Sequence, residues 1–196
     1  MHHLGHIFLA KSPPAFRFGA FIADGVRGMQ YKELPLLIQK GVQYHRWIDW
    51  RTDQHPAFLR ARRLLAPAAG KYAGLIVDLW LDAVLGENWS LFAHEPLPLY
   101  EARFRKEVLL PHKDHAPESW KPFLQRMQEE NLLQTFGSYG GMSTYMRSYI
   151  QRRSLPLSVE SIEGALQAHA EAIQQTLLDF WREAVYWQRD ADEFVP

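Results

Sequence analysis

Apolar residues recur at three- and four-residue spacing along almost the whole chain, while strict alternation is rare. That period belongs to helices that bury one face. It predicts an all-α fold, a single-domain helical bundle of about eight helices. Helical segments are expected at about residues 2–10, 15–26, 36–52, 56–65, 72–85, 99–110, 118–129, 131–136, 142–152 and 159–189. Lys11-Ser12-Pro13-Pro14 should stop the first, residues 67–70 should form a break, and Gly140-Gly141 should precede the helix at 142. Ser158 suits the N-cap of the last. The 196 residues suffice for one full core, and no repeat, low-complexity tract or linker divides them.

Composition narrows the function classes. Lys and Arg number 22, balanced by 22 Asp and Glu, so no global charge favours nucleic acid or an acidic membrane surface. Cysteine is absent, which excludes disulfides, thiol nucleophiles and Cys-ligated zinc or iron–sulfur sites. No apolar run reads as long enough to span a bilayer, and the start lacks the pattern of a signal peptide, so a cytoplasmic protein is expected. The aromatic residues suit core or interface equally and leave the oligomeric state open.

Polar residues stand out inside the apolar segments. His45, Asp49 and Asp53 lie four apart in "GVQYHRWIDWRTDQHP", Asp78 and Asp82 in "GLIVDLWLDAVL", and His2 and His6 in "MHHLGHIFLA". Residues four apart share a helix face. Asp24 adds a carboxylate within "GAFIADGVRG". Carboxylates on apolar faces are costly to bury unless paired or metal-bound. Two readings stand side by side: surface pairs or a salt-bridge network with Arg27, Arg46 or Arg51, and a buried polar centre. An oxygen- and imidazole-rich centre without thiols suits Mn²⁺, Mg²⁺ or Fe, and its natural chemistry is hydrolysis at phosphorus. No P-loop, dinucleotide fingerprint, nucleophile elbow or H-E-x-x-H motif competes. Arg152 and Arg153 form a basic cluster suited to a phosphate, to an acidic partner, or simply to the C-terminal end of a helix.

The blocks "LGHIFLA", "GAFIADGVRG", "GVQYHRWIDWRTDQHP", "GLIVDLWLDAVLGENW" and, more loosely, "YGGMSTYMRSYIQRR" resemble the acyl carrier protein phosphodiesterase family, in its order and spacing. The resemblance implies an HD-domain-like helical fold and removal of the 4′-phosphopantetheine arm from holo acyl carrier protein. The cofactor it implies is a divalent metal, Mn²⁺ first, with Mg²⁺ or Fe as alternatives. Matching motif positions are His6, Asp24, His45, Asp49, Asp53, Asp78 and Asp82. From these, His6, Asp24, His45, Asp78 and Asp82 are expected as metal ligands, and Asp24, His45, Asp49 and Asp82 as catalytic residues. Arg27, Arg46, Asp53 and His2 are expected on the substrate and its phosphate. The family pattern has an Asn at Ala20 and a His at Ala83. Neither alanine side chain can ligate or hydrogen-bond, so the alternative is an impaired member that binds carrier protein or a phosphopantetheine-like ligand without turnover.

Overall fold

The computed structural model describes residues 1–11 and 13–195. Among these residues the regular structure is helical throughout, with no strand. Helices α1 (His3–Leu9), α2 (Pro14–Ile22), α3 (Leu36–Gln54), α4 (Pro56–Ala69) and α5 (Ala73–Glu87) build the first half. The second half holds α6 (Leu97–Phe104), α7 (Leu110–His112), α8 (Lys121–Glu129), α9 (Leu132–Phe136), α10 (Tyr139–Arg152), α11 (Val159–Ala168) and α12 (Ala170–Ala184). Proline sets several starts. Pro14 and Pro56 occupy first-turn positions, where a missing N–H costs nothing. Nδ1 of His55 accepts from the Ala57 amide at 3.2 Å and caps α4.

One hydrophobic core draws on nearly every element, and α5 lies within it, with Ile76, Val77, Leu81, Ala83, Val84 and Leu85 fully buried. Helices α2 and α3 cross in close backbone contact. A Cβ on Gly19 would lie 2.1 Å from the Ile38 carbonyl oxygen, and one on Gly41 2.0 Å from that of Phe16. Only glycine allows the two backbones to approach this far. The crossing matters because α3 carries the His45 column and α2 leads to Asp24.

Several boundaries differ from expectation. Of the residues expected to stop α1, Ser12 lies outside the described residues, and Pro13 is the N-cap of α2. Helix α2 ends at Ile22 and tightens into a 3₁₀ turn, Ala23–Gly25, which lifts Asp24 off the helix face. Helix α4 does not break at Pro67 but runs to Ala69, with the exposed proline inside its last turn. Helix α10 begins at Tyr139 and takes in both glycines, because the Ser138 hydroxyl accepts from the Gly141 amide at 3.1 Å. Ser158 does cap α11, accepting from Ser161. The long last helix bends at His169, and both α11 and α12 pack on α4.

The stretch Pro56–Glu87 is, contrary to the sequence expectation, long and apolar enough to cross a membrane on length and composition. It is not a straight rod. Gly70 has φ +53, and Phe58 packs 3.8 Å from a Cβ placed on Gly74. Sixteen residues of straight helix would hold those positions about 24 Å apart. The stretch therefore folds back as an α4–α5 hairpin.

Candidate active site

His6 from α1 and His45 and Asp49 from α3 meet beneath the α2–α3 crossing. Nε2 of His6 lies 3.0 Å from Asp49 Oδ1, and Nε2 of His45 lies 3.0 Å from Asp49 Oδ2. The two imidazoles stack with centroids 3.5 Å apart. Asp24 reaches the group from the 3₁₀ turn, its Oδ1 3.3 Å from His45 Nε2. Nδ1 of His45 lies 2.7 Å from the carbonyl oxygen of Ala20. A carbonyl only accepts, so Nδ1 carries a proton and Nε2 faces Asp24 and Asp49. The backbone of Ala20 thus orients the ring, although its side chain offers nothing.

Burial alone would lower the basicity of His45, but hydrogen bonds to Asp24 and Asp49 raise its pKa to about 10. The same contacts act on the carboxylates. Desolvation opposes ionisation of Asp24, yet the hydrogen bond with His45 and the charges of His45, His3 and His6 together outweigh it and hold the acid well below the usual range. Asp49 is likewise held far down by His6 and His45 against its burial. Burial and the neighbouring charge of His45 lower His6. Without a metal, the group is a cationic imidazole clamped between two carboxylates.

Ligand atoms of His6, His45 and Asp49 all lie within 4.8 Å of one another. Asp49 Oδ1 is buried and accepts no hydrogen bond of good geometry. Imidazole nitrogens around a carboxylate, with no thiol present, form a donor set that Mn²⁺, Mg²⁺ or Fe accepts. The residues present therefore fit a divalent cation. Asp49, expected in a catalytic role only, is one of the three converging groups.

The α5 carboxylates serve other groups. Asp82 is fully buried. Its Oδ2 accepts from the Leu4 amide at 2.6 Å and its Oδ1 from the Gly5 amide at 2.9 Å. These are two of the orphan donors of the first turn of α1, whose own N-cap residue, His2, supplies no side-chain bond. Asp82 therefore caps α1 from across the core, and both oxygens are committed. Burial pushes its pKa to about 6, against the opposing amide bonds. Asp78 Oδ1 accepts from the Met1 ammonium group at 2.6 Å, and Asp49 Oδ1 lies 3.6 Å from the same nitrogen. Burial works against this ammonium, but Asp78 and Asp49 raise its pKa to about 10. His2 stacks edge-on against Phe136, and burial lowers its pKa to about 3.

A cavity of about 970 Å³ opens beside this group. Its lining includes Asp24, Asp49, Asp53 and Asp78, together with His2. It also includes Trp120, Phe123, Tyr145 and Tyr149, with Arg126, Arg152 and Arg153. Arg27 and Arg46, expected on a phosphate, do not line it. Arg27 is exposed. Arg46 donates to the carbonyls of Val26 and Gly28 and lies over the Tyr31 ring, bracing the loop after α2. Ala20 and Ala83 are fully buried, and neither contributes to the lining. The aromatic wall and Arg126 escaped the sequence reading. A signal existed in the stripe Tyr145, Tyr149, Arg152 and Arg153, which runs along one face of α10.

Comparison with known families matches residues 1–184 to acyl carrier protein phosphodiesterase. The chain belongs to the acyl carrier protein phosphodiesterase family. The acyl carrier protein phosphodiesterase of Photorhabdus laumondii is 27% identical over 96% of this chain and 90% of its own. That of Yersinia pestis is 24% identical over 92% of this chain and 94% of its own. One from Shigella boydii reaches 30% identity over 60% of this chain and 61% of its own. No solved structure matches the chain. The match spans every residue of the centre and the cavity wall, so both lie within the part of the chain that defines the family.

Proposed function

We propose that this chain is a metal-dependent phosphodiester hydrolase that releases the 4′-phosphopantetheine arm from holo acyl carrier protein. The observation that carries the proposal is the convergence of His6, His45 and Asp49 within 4.8 Å beside a cavity large enough for a small ligand. Family membership and the names of the relatives supply the substrate class.

In this reading His6, His45 and Asp49 hold a divalent cation, Mn²⁺ first, with Asp24 completing the set. Such a cation supplies charge for the phosphoryl oxygens and a lowered pKa for a water. Ala20 keeps the Nδ1 proton of His45 in place, which leaves Nε2 for the centre. His45 must give up its second proton, and His6 Nε2 its own, before either can ligate. Asp49 sets the orientation of both rings, and Asp82 acts at a distance by seating α1. Asp53 lines the same cavity and makes no hydrogen bond among the described residues. It is the carboxylate free to accept a proton from the attacking water. His2 and the Tyr145–Tyr149 wall flank the arm.

The test is release of phosphopantetheine from holo acyl carrier protein by chelator-treated enzyme, with and without Mn²⁺. The proposal expects turnover restored by metal and lost in H45A and D49A. Ala20 and Ala83 favour a second reading, binding without turnover. It would show as retention of holo carrier protein with no release at any metal concentration.

A further inference from the structure

Helix α10 ends in an arrangement that satisfies its last carbonyls without help from side chains. Ser154 adopts φ +47. The Leu155 amide donates to the Ile150 carbonyl at 3.0 Å and the Ser154 amide to that of Gln151 at 3.1 Å. That is the paired 6→1 and 5→2 bonding of a Schellman motif. Arg152 and Arg153 immediately precede the turn, and neither is needed as a cap. Among the described residues neither forms a hydrogen bond or an ion pair, and both are exposed. The nearby cations differ. Arg147 is tied to Glu163, and Arg126 is held through Nε and Nη2 by Glu130.

The two unpaired guanidinium groups are nevertheless held in place. Arg152 lies over the Tyr145 ring at 5.9 Å and Arg153 over the Tyr149 ring at 5.7 Å. Stacking of this kind restricts the side chain while leaving its N–H fork open to an anion. Tyr145 in turn lies 5.1 Å from the His2 ring. Both arginines are exposed and line the cavity, and Arg152 stands one aromatic ring beyond His2. Groups at an exposed edge meet what stays outside when an arm enters the cavity.

We propose that Arg152 and Arg153 are a docking edge for acidic side chains of the protein that carries the phosphodiester, and so determine which carrier is accepted. The inference rests on the proposed reading of the cavity as the place where that carrier's arm is cleaved. Two open guanidinium forks would attract carboxylates that a carrier presents beside the arm as it enters the cavity. Exposed charges of this kind act on encounter and affinity and fade with salt.

The test is charge reversal in the full chain, R152E/R153E, with R152Q/R153Q as the milder pair. The measurement is KM and kcat on holo acyl carrier protein at low and high salt, with the small diester bis(4-nitrophenyl) phosphate alongside. KM for the carrier should rise by about tenfold or more at low salt, with less change in kcat and a flattened salt dependence. The glutamine pair should fall between. An equal loss on the small diester would overturn the inference, because the arginines would then act on the scissile phosphate. An unchanged KM would overturn it as well. If the wild type cleaves no diester, direct titration of holo carrier protein at low salt separates the two claims. Wild-type binding that R152E/R153E abolishes upholds the docking edge while turnover fails. No binding by the wild type overturns it.

Discussion

Replacing Gly41 by alanine should separate α2 from α3 and disturb the centre beneath them. The new Cβ would lie 2.0 Å from the Phe16 carbonyl oxygen, 2.7 Å from the Ala20 nitrogen and 2.9 Å from Gly19 Cα. All three are backbone atoms in a helix and cannot swing aside. Restoring ordinary contact at 3.4 Å moves the helices apart by about 1.4 Å. The bond from His45 Nδ1 to Ala20, now 2.7 Å, would stretch to about 4 Å and cease to be one. Overpacking costs about 1–3 kcal/mol, and a buried polar group left unpaired costs about 1–3 kcal/mol more. Alanine's higher helix propensity returns about 1 kcal/mol. The net loss is roughly 1–5 kcal/mol, or about 2–20 °C in Tm for a chain of this length. Loss of the carbonyl behind His45 should weaken metal binding by about 10- to 100-fold. Thermal unfolding and metal titration read both effects. The internal control is G164A, on an exposed face of α11 with nothing within 4 Å of the new Cβ. It should stabilise by up to about 1 kcal/mol. A G41A protein as stable as the wild type, with unchanged metal affinity, would refute the account of the crossing.

Other outcomes follow from single contacts. D82A removes the acceptor for two buried amides of α1; it should cost roughly 2–6 kcal/mol and strip hydrogen-exchange protection from Leu4 and Gly5, which unchanged protection would contradict. S154G relieves the left-handed strain at the end of α10 and should stabilise by about 0.5–1 kcal/mol in urea unfolding. His45 has a folded pKa of about 10 against 6.5 unfolded, so its contribution to metal-free stability is full below pH 6.5 and is lost as pH rises through 10. D49N should flatten that decline by removing one of the two carboxylates that raise the pKa. Since the proton on His45 Nε2 competes with a cation, calorimetric metal uptake at pH 7 should release protons, and a buffer-independent heat would contradict the ligand assignment.

The helical reading came from periodicity that survives folding. Helices α1, α3 and α5 lie where the apolar stripes place them, and His45 and Asp49 do share a face. What periodicity cannot supply is the partner waiting across the core. Asp78 and Asp82 share a face as expected, but Asp78 meets an ammonium group and Asp82 the bare first turn of α1. The bend at His169 has no glycine or proline to announce it, and the helices on either side of it both pack on α4. Pro67 looks like a stop but sits where its helix was already ending. Of the arginines expected on the phosphate, Arg46 braces a loop and Arg27 is exposed, while those on the cavity come from about a hundred residues or more beyond Asp24, brought in by closure of the bundle. Local sequence encodes faces, whereas the site is made by contacts between faces.

The central claim is that His6, His45 and Asp49 hold a divalent cation. Anomalous diffraction at the manganese edge, on crystals grown from chelator-treated protein soaked with Mn²⁺, tests it most directly. The account predicts a single strong peak within bonding distance of His6 Nε2, His45 Nε2 and an Asp49 oxygen. A peak placed instead between Asp78 and Asp82, or no peak at this centre under saturating Mn²⁺, would contradict it.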